Sequence, residues 1–157
     1  MKHKESDLQI QCVRWFRYQY PAFARLLEHP HNEGNAFNRR QQAIANAEGV
    51  TKGVADLILH VPSHNLDGIS VFTSLALEMK TKEGRQSDSQ KQWQRLFEAA
   101  GGCYLIVRSF DDFVNEVTRY MLNVPLSIAN EINKVCSDIR NEEDEKGRQQ
   151  MRKFLNQ

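Results

Sequence analysis

A chain of 157 residues with 40% hydrophobic and 26% charged residues has enough apolar material for one sizeable core, and too little length for two independent domains. This balance excludes a disordered or fibrous chain, and no apolar run approaches the roughly 18 residues of a membrane span. The net charge of +1 hides a basic segment, since residues 80 to 95 hold five Lys/Arg against two Asp/Glu. Such a segment permits nucleic-acid binding without requiring it.

The first segment, "ESDLQIQCVRWFRYQYP", places Leu8, Cys12, Trp15, Phe16 and Tyr20 at helical spacing, with Pro21 as the stop and Glu5 in the first turn. "FARLLEHP" reads as a short strand and "HPHNEGN" as a polar turn. "AFNRRQQAIANAEG" predicts a helix with Ala36, Arg40, Ala43, Ile44 and Ala47 along one side and Gly49 as its terminator. "ADLILHV" is a strand, "PSHNLDG" a loop and "ISVFTSLALEMK" a longer strand, together a hairpin whose second strand returns towards Asp56.

A helix from about Ser87 to Ala100 follows, with Trp93, Leu96, Phe97 and Ala100 inward and Ser87 and Gln90 spaced as a capping box. "GG" closes it, "CYLIV" is an apolar strand and "SFDDFVNEVTRYM" an amphipathic helix. The β-β-α-β-α order favours a mixed sheet flanked by helices. We therefore expect an α/β domain over residues 1–122 and a helical extension over 123–157. In that extension Ile128, Ile132, Val135 and Ile139 form a narrow stripe suited to packing on the domain or on a second subunit.

The chemistry gathers at Asp56, Glu78 and Lys80. Strand side chains alternate, so Glu78 and Lys80 share one face. A lone Glu-x-Lys on a strand also suits a surface ion pair worth at most about 1 kcal/mol. Two carboxylates on one sheet repel unless a cation neutralises them, and oxygen ligands favour Mg²⁺ or Mn²⁺. Such an ion lowers the pKa of water and stabilises charge on a phosphoryl oxygen, and Lys80 is placed to assist the water or balance the phosphate.

Gln90 lies three residues before Trp93 and so on the inward side, where a polar group needs a partner. Glu5 alternatively serves only as an acid near a helix N-terminus. The three cysteines, Cys12, Cys103 and Cys136, are too far apart for a zinc pattern and read as buried free thiols.

"GVADLIL", "LALEMKTKEGRQSDSQKQW" and "GGCYLIVRSFDDFVNEV", with the first helix and the "HPHNEGN" turn, resemble the PD-(D/E)XK nuclease superfamily, and within it the VRR-NUC family, over roughly residues 5 to 120. The resemblance implies a restriction-endonuclease-like core and a metal-dependent phosphodiesterase. Asp56, Glu78 and Glu5 would then be metal ligands, Lys80 the catalytic lysine and Gln90 a further active-site residue. Ala55 stands where the superfamily has proline, which shapes the strand entry and contributes no chemistry.

Beside such a site, Lys82, Arg85, Lys91, Arg95, Arg39 and Arg40 become candidate phosphate contacts, and His31 and Asn32 candidates near the substrate. Stand-alone members resemble homodimeric endonucleases acting on branched DNA such as four-way junctions or flaps. The expectation is a cytoplasmic Mg²⁺- or Mn²⁺-dependent DNA endonuclease. The alternatives are a non-catalytic nucleic-acid-binding or assembly module on the same fold, or an RNA-directed nuclease.

Overall fold

The computed structural model describes residues 2–30, 39–64 and 71–155. Helix α1 runs Lys2–Gln19 and ends two residues before Pro21, with Tyr20 between. The proline fixes φ and opens a 3-10 turn over Pro21–Leu26 rather than the expected strand, so that extended pairing is confined to β1, Leu27–Glu28. Helix α2, Arg39–Ala47, ends at Gly49, whose φ of +95° is the left-handed terminator geometry expected of it. Of its anticipated apolar side, Arg40, Ala43, Ile44 and Ala47 are exposed, Ile44 by 49%, while Ala36 lies outside the described residues.

Strand β2, Leu57–Leu59, pairs antiparallel with β1 on one side and with β5, Leu75–Met79, on the other. The hairpin differs from the one read in the sequence. "ISVFTSLALEMK" is two strands: β4, Val71–Phe72, pairs with β3, Ser63–His64, in a small separate sheet. The break at Thr73 and Ser74 has a hydrogen-bonding cause. Thr73 N–H donates to Gly101 C=O and Ser74 C=O accepts from Cys103 N–H, so the chain leaves one sheet and enters the other there. Ser63 and His64, expected in a loop, are drawn into β3, and His64 N–H donates to Asn123 C=O at 2.9 Å.

Strand β6, Cys103–Val107, lies parallel to β5 and completes the order β1-β2-β5-β6. The crossover between them is α3, Asp88–Ala99, the connection that parallel strands require. All five residues of β5 are buried, as a central strand covered on both faces must be. Trp93 and Phe97 of α3 pack over Ala55, Ala76 and Tyr104. Leu96 and Ala100, expected inward, are exposed, Leu96 by 72%.

Helix α4, Phe110–Leu122, is capped by the Ser109 side chain and packs on α1. The Trp15 ring meets Phe113 edge-on at 5.9 Å, and Phe16, Phe113 and Val117 are wholly buried. Cys12 is buried as expected, whereas Cys103 and Cys136 are only half-buried.

Two units divide the chain, Met1–Val124 and Pro125–Gln157. The second is one helix, α5, Leu126–Leu155, which continues through the charge run "RNEEDEKGR" without a break. On it Val135 and Ile139 are 46% and 36% exposed. Among the described residues no helix is long and apolar enough to cross a membrane.

Candidate active site

The β2–β5 register sets Leu57 opposite Leu77 and so, one step further, Asp56 opposite Glu78. Asp56 sits just before β2, and its Oδ2 accepts from Met79 N–H at 2.7 Å, which carries the pairing past the end of the strand. Gly53 makes this entry possible. Its φ is +82°, and a Cβ there would lie 2.4 Å from the Ser89 carbonyl carbon, so the G-x-x-D turn presses directly against the first turn of α3.

Glu78 is completely buried, and three side chains of the described residues donate to it. Lys80 Nζ lies 2.6 Å from Oε1, Gln90 Nε2 donates to the same oxygen, and the Tyr104 hydroxyl donates to Oε2 at 3.0 Å. Gln90 also closes the capping box: its Oε1 accepts from Ser87 N–H at 2.8 Å while Ser87 Oγ accepts from Gln90 N–H. The two uses of Gln90 are therefore simultaneous. One end of the amide orders the helix start, and the other reaches the buried carboxylate.

Glu5 of α1 comes to the same end of the sheet, where its Oε1 accepts from Thr81 N–H at 3.0 Å. Thus Asp56, Glu78, Lys80, Gln90 and Glu5 converge from α1, the β2 entry, β5 and α3. Burial raises the Asp56 carboxyl above its usual range, with the nearby Glu5 charge adding to the rise and the Met79 N–H and Lys80 opposing it. Burial likewise raises Glu78, reinforced by the Asp56 charge and opposed by Lys80 and Tyr104. Each carboxylate is thus held where a further positive charge would relieve it.

This donor set suits a hard divalent cation. Among the described residues no group of three His, Cys, Asp and Glu side chains is arranged to hold a metal. A pair of carboxylates is a hard-oxygen donor set of the kind that oxygen-preferring divalent cations take when water completes their shell.

Lys82, Arg85, Lys91 and Arg95 are exposed in the turn after β5 and on α3, Lys91 within 3.4 Å of Asp88. Arg40 is exposed on α2; Arg39 begins that helix and its side chain lies outside the described residues, as do His31 and Asn32 altogether.

Several contributors escaped the sequence reading. In the sequence Tyr104 reads only as part of an apolar strand, although a tyrosine buried there needs a partner for its hydroxyl. His29 Nδ1 lies 2.7 Å from the Asp56 carbonyl oxygen and 3.1 Å from Gln9 Nε2. Arg108 Nη1 donates to the carbonyls of Thr81 and Gly84 at 2.7 and 2.9 Å, holding the turn that carries Lys82. Only the strand register and the return of the chain beside it bring these groups in.

The mixed sheet thus gathers two carboxylates and a lysine at one end, and a helix delivers a glutamine to them. Among solved structures the chain aligns with a protein described as a VRR_NUC domain protein, with a TM-score of 0.62 and 17% identity over 76% of this chain and 89% of that one. The chain shares the fold of that protein. No protein-family model matches the sequence, and no curated protein matches it.

Proposed function

We propose that the protein is a metal-dependent DNA endonuclease. The observation that carries this reading is the gathering of Asp56, Glu78 and Lys80 at one end of the sheet, with Lys80 Nζ 2.6 Å from the buried Glu78 carboxylate. Asp56 and Glu78 are the residues that would hold Mg²⁺ or Mn²⁺. When bound, the ion would supply activation of water and neutralisation of the phosphoryl oxygens.

The remaining steps belong to the side chains. Lys80 would orient the attacking water through an N–H to its oxygen and balance the charge on the phosphate as the water oxygen bonds to phosphorus and the leaving ester oxygen departs, the water's proton passing to solvent and the leaving oxygen taking one from it. Gln90 keeps Glu78 in place. Glu5 binds Thr81 N–H, fixes the residue after Lys80 and so completes the surroundings of the site. The exposed Lys82, Arg85, Lys91 and Arg95, with Arg39, Arg40 and Asn32 as further candidates, would contact phosphates and position the nucleic acid without reading its bases.

We place the preferred substrate among branched DNAs such as four-way junctions and flaps, cut by a homodimer in which α5 is a candidate packing element between subunits. A two-fold dimer would set two sites at a fixed separation, as symmetric cuts across a junction require. The exposed side chains Val135 and Ile139 on α5 support a packing role for that helix. Cleavage of a labelled junction, a 5′ flap and plain duplex in parallel, with Mg²⁺, Mn²⁺ or chelator, tests the reading. Metal-dependent cutting strongest on the junction or flap is expected; binding without cutting on all three would replace the nuclease with a non-catalytic module.

A further inference from the structure

A carboxylate with no exposed surface takes its orientation from the donors that reach it, and one of those on Glu78 is itself oriented. Lys80 and Gln90 both address Oε1, so Oε2 is left to the Tyr104 hydroxyl at 3.0 Å. The phenolic oxygen also accepts from Gln86 Nε2 at 3.3 Å, and Gln86 Nε2 donates to Gln94 Oε1 at 2.8 Å. An amide N–H can only donate and an ionised carboxylate can only accept, so the single phenolic proton has one direction, towards Glu78.

The ring behind that hydroxyl is fixed as well. Tyr104 is 7% exposed, stands opposite Ala76 in the β5–β6 register and packs with Trp93 at a centroid distance of 6.0 Å. Rotation of the phenol would break a packed cluster. The hydroxyl therefore holds its place whether or not the carboxylate's other partners move.

We infer that Tyr104 is a positioning residue for the active site: its hydroxyl, directed by Gln86, fixes the carboxylate plane of Glu78 for a divalent cation. The inference rests on the nuclease reading of the site. A hydrogen-bonded neighbour of a metal-ligating group typically changes metal affinity by about 10- to 100-fold when removed.

The test is Mn²⁺ binding to the full-length chain, followed by calorimetry and by the electron paramagnetic resonance of the free ion, with thermal unfolding alongside. Tyr104→Phe keeps the ring in the packed cluster and removes only the hydroxyl. It is expected to fold like the wild type and to bind Mn²⁺ about 10-fold more weakly. Gln86→Leu, which leaves the phenol but removes the donor that directs it, is expected to shift affinity in the same direction and serves in place of Tyr104→Phe should that variant not fold. Wild-type affinity in the folded variants overturns the role of Tyr104 and leaves the nuclease reading standing. A wild-type protein that binds Mn²⁺ no better than Glu78→Gln overturns that reading and the inference with it.

Discussion

Gln90 joins the first turn of α3 to Glu78: its Oε1 accepts from Ser87 N–H at 2.8 Å while its Nε2 donates to the buried carboxylate. Replacing it separates the two functions. Gln90→Ala loses the capping box and a donor to Glu78, at a cost of about 1–3 kcal/mol. Gln90→Glu keeps an acceptor for Ser87 N–H but sets a second carboxylate against Glu78. Denaturant unfolding at pH 8 should find Gln90→Glu the less stable of the two variants, with the order reversed at pH 5, where a shared proton relieves the repulsion.

Asp56 and Glu78 set a pH dependence whose sign follows from their raised carboxyls. Burial raises both above their unfolded values of 3.8 and 4.5. Folding therefore favours the protonated forms, and the stability this contributes is fully present below the unfolded values and lost as pH rises through the folded ones. Asp56→Asn removes one of these charges and keeps an acceptor for Met79 N–H. Thermal unfolding of the metal-free proteins should show Asp56→Asn gaining on the wild type as pH rises above the unfolded value of 3.8, while its cleavage activity is lost. A gain on acidification instead would reverse the assignment.

Gly53 tests the approach of the G-x-x-D turn to α3. Gly53→Ala meets two costs, a side chain at φ +82° and a Cβ 2.4 Å from the Ser89 backbone, whose atoms cannot swing aside as a flexible side chain would. Urea unfolding should show a loss of about 2–4 kcal/mol, well above the effect of alanine at an ordinary loop glycine. Because the displaced segment starts the helix that carries Gln90, cleavage should fall as well.

Arg108 holds the turn after Lys80 through the carbonyls of Thr81 and Gly84. Arg108→Ala should leave the core intact, since Arg108 is exposed, but free the backbone of residues 81–84. Faster amide hydrogen exchange at Gly84, whose N–H donates to Thr81 C=O, and faster tryptic cleavage after Lys82 are the expected readouts. Unchanged exchange there would show the turn to be held by Glu5 alone.

The parts visible in the sequence are those governed by local rules. The E-x-K alternation, the Ser87–Gln90 spacing and the Gly49 and Gly101 terminators each depend on a few neighbouring residues, and α1, α3 and α4 follow from their periodicity. What the sequence withheld depends on partners distant along the chain. The break at Thr73 is made by Gly101 and Cys103, and the capture of Ser63 and His64 by Val71, Phe72 and Asn123. Tyr104 reaches Glu78 only because β6 runs parallel to β5 in one particular register. Leu96 and Ile44 carry helical periodicity yet stay exposed, because periodicity gives a face and not what covers it.

Cysteine reactivity offers a check on the packing of α1. Burial pushes the Cys12 thiol up to about 12 and Cys103 up to about 11. At neutral pH both remain protonated and poorly nucleophilic. Labelling of the native protein with a disulfide reagent should leave Cys12 unmodified until unfolding, with one thiol, the half-buried Cys136, reacting first.

The central claim is that Lys80, paired with Glu78 at the end of β5, serves phosphodiester hydrolysis and not only the stability of a buried charge. The most direct measurement is cleavage of a labelled four-way junction in Mg²⁺ by the wild type and by Lys80→Ala, with circular dichroism on both. Cutting by the wild type that is abolished by chelator and by Lys80→Ala, in a variant that retains the native fold, is the result this account predicts. A folded Lys80→Ala protein that cuts at the wild-type rate would contradict it.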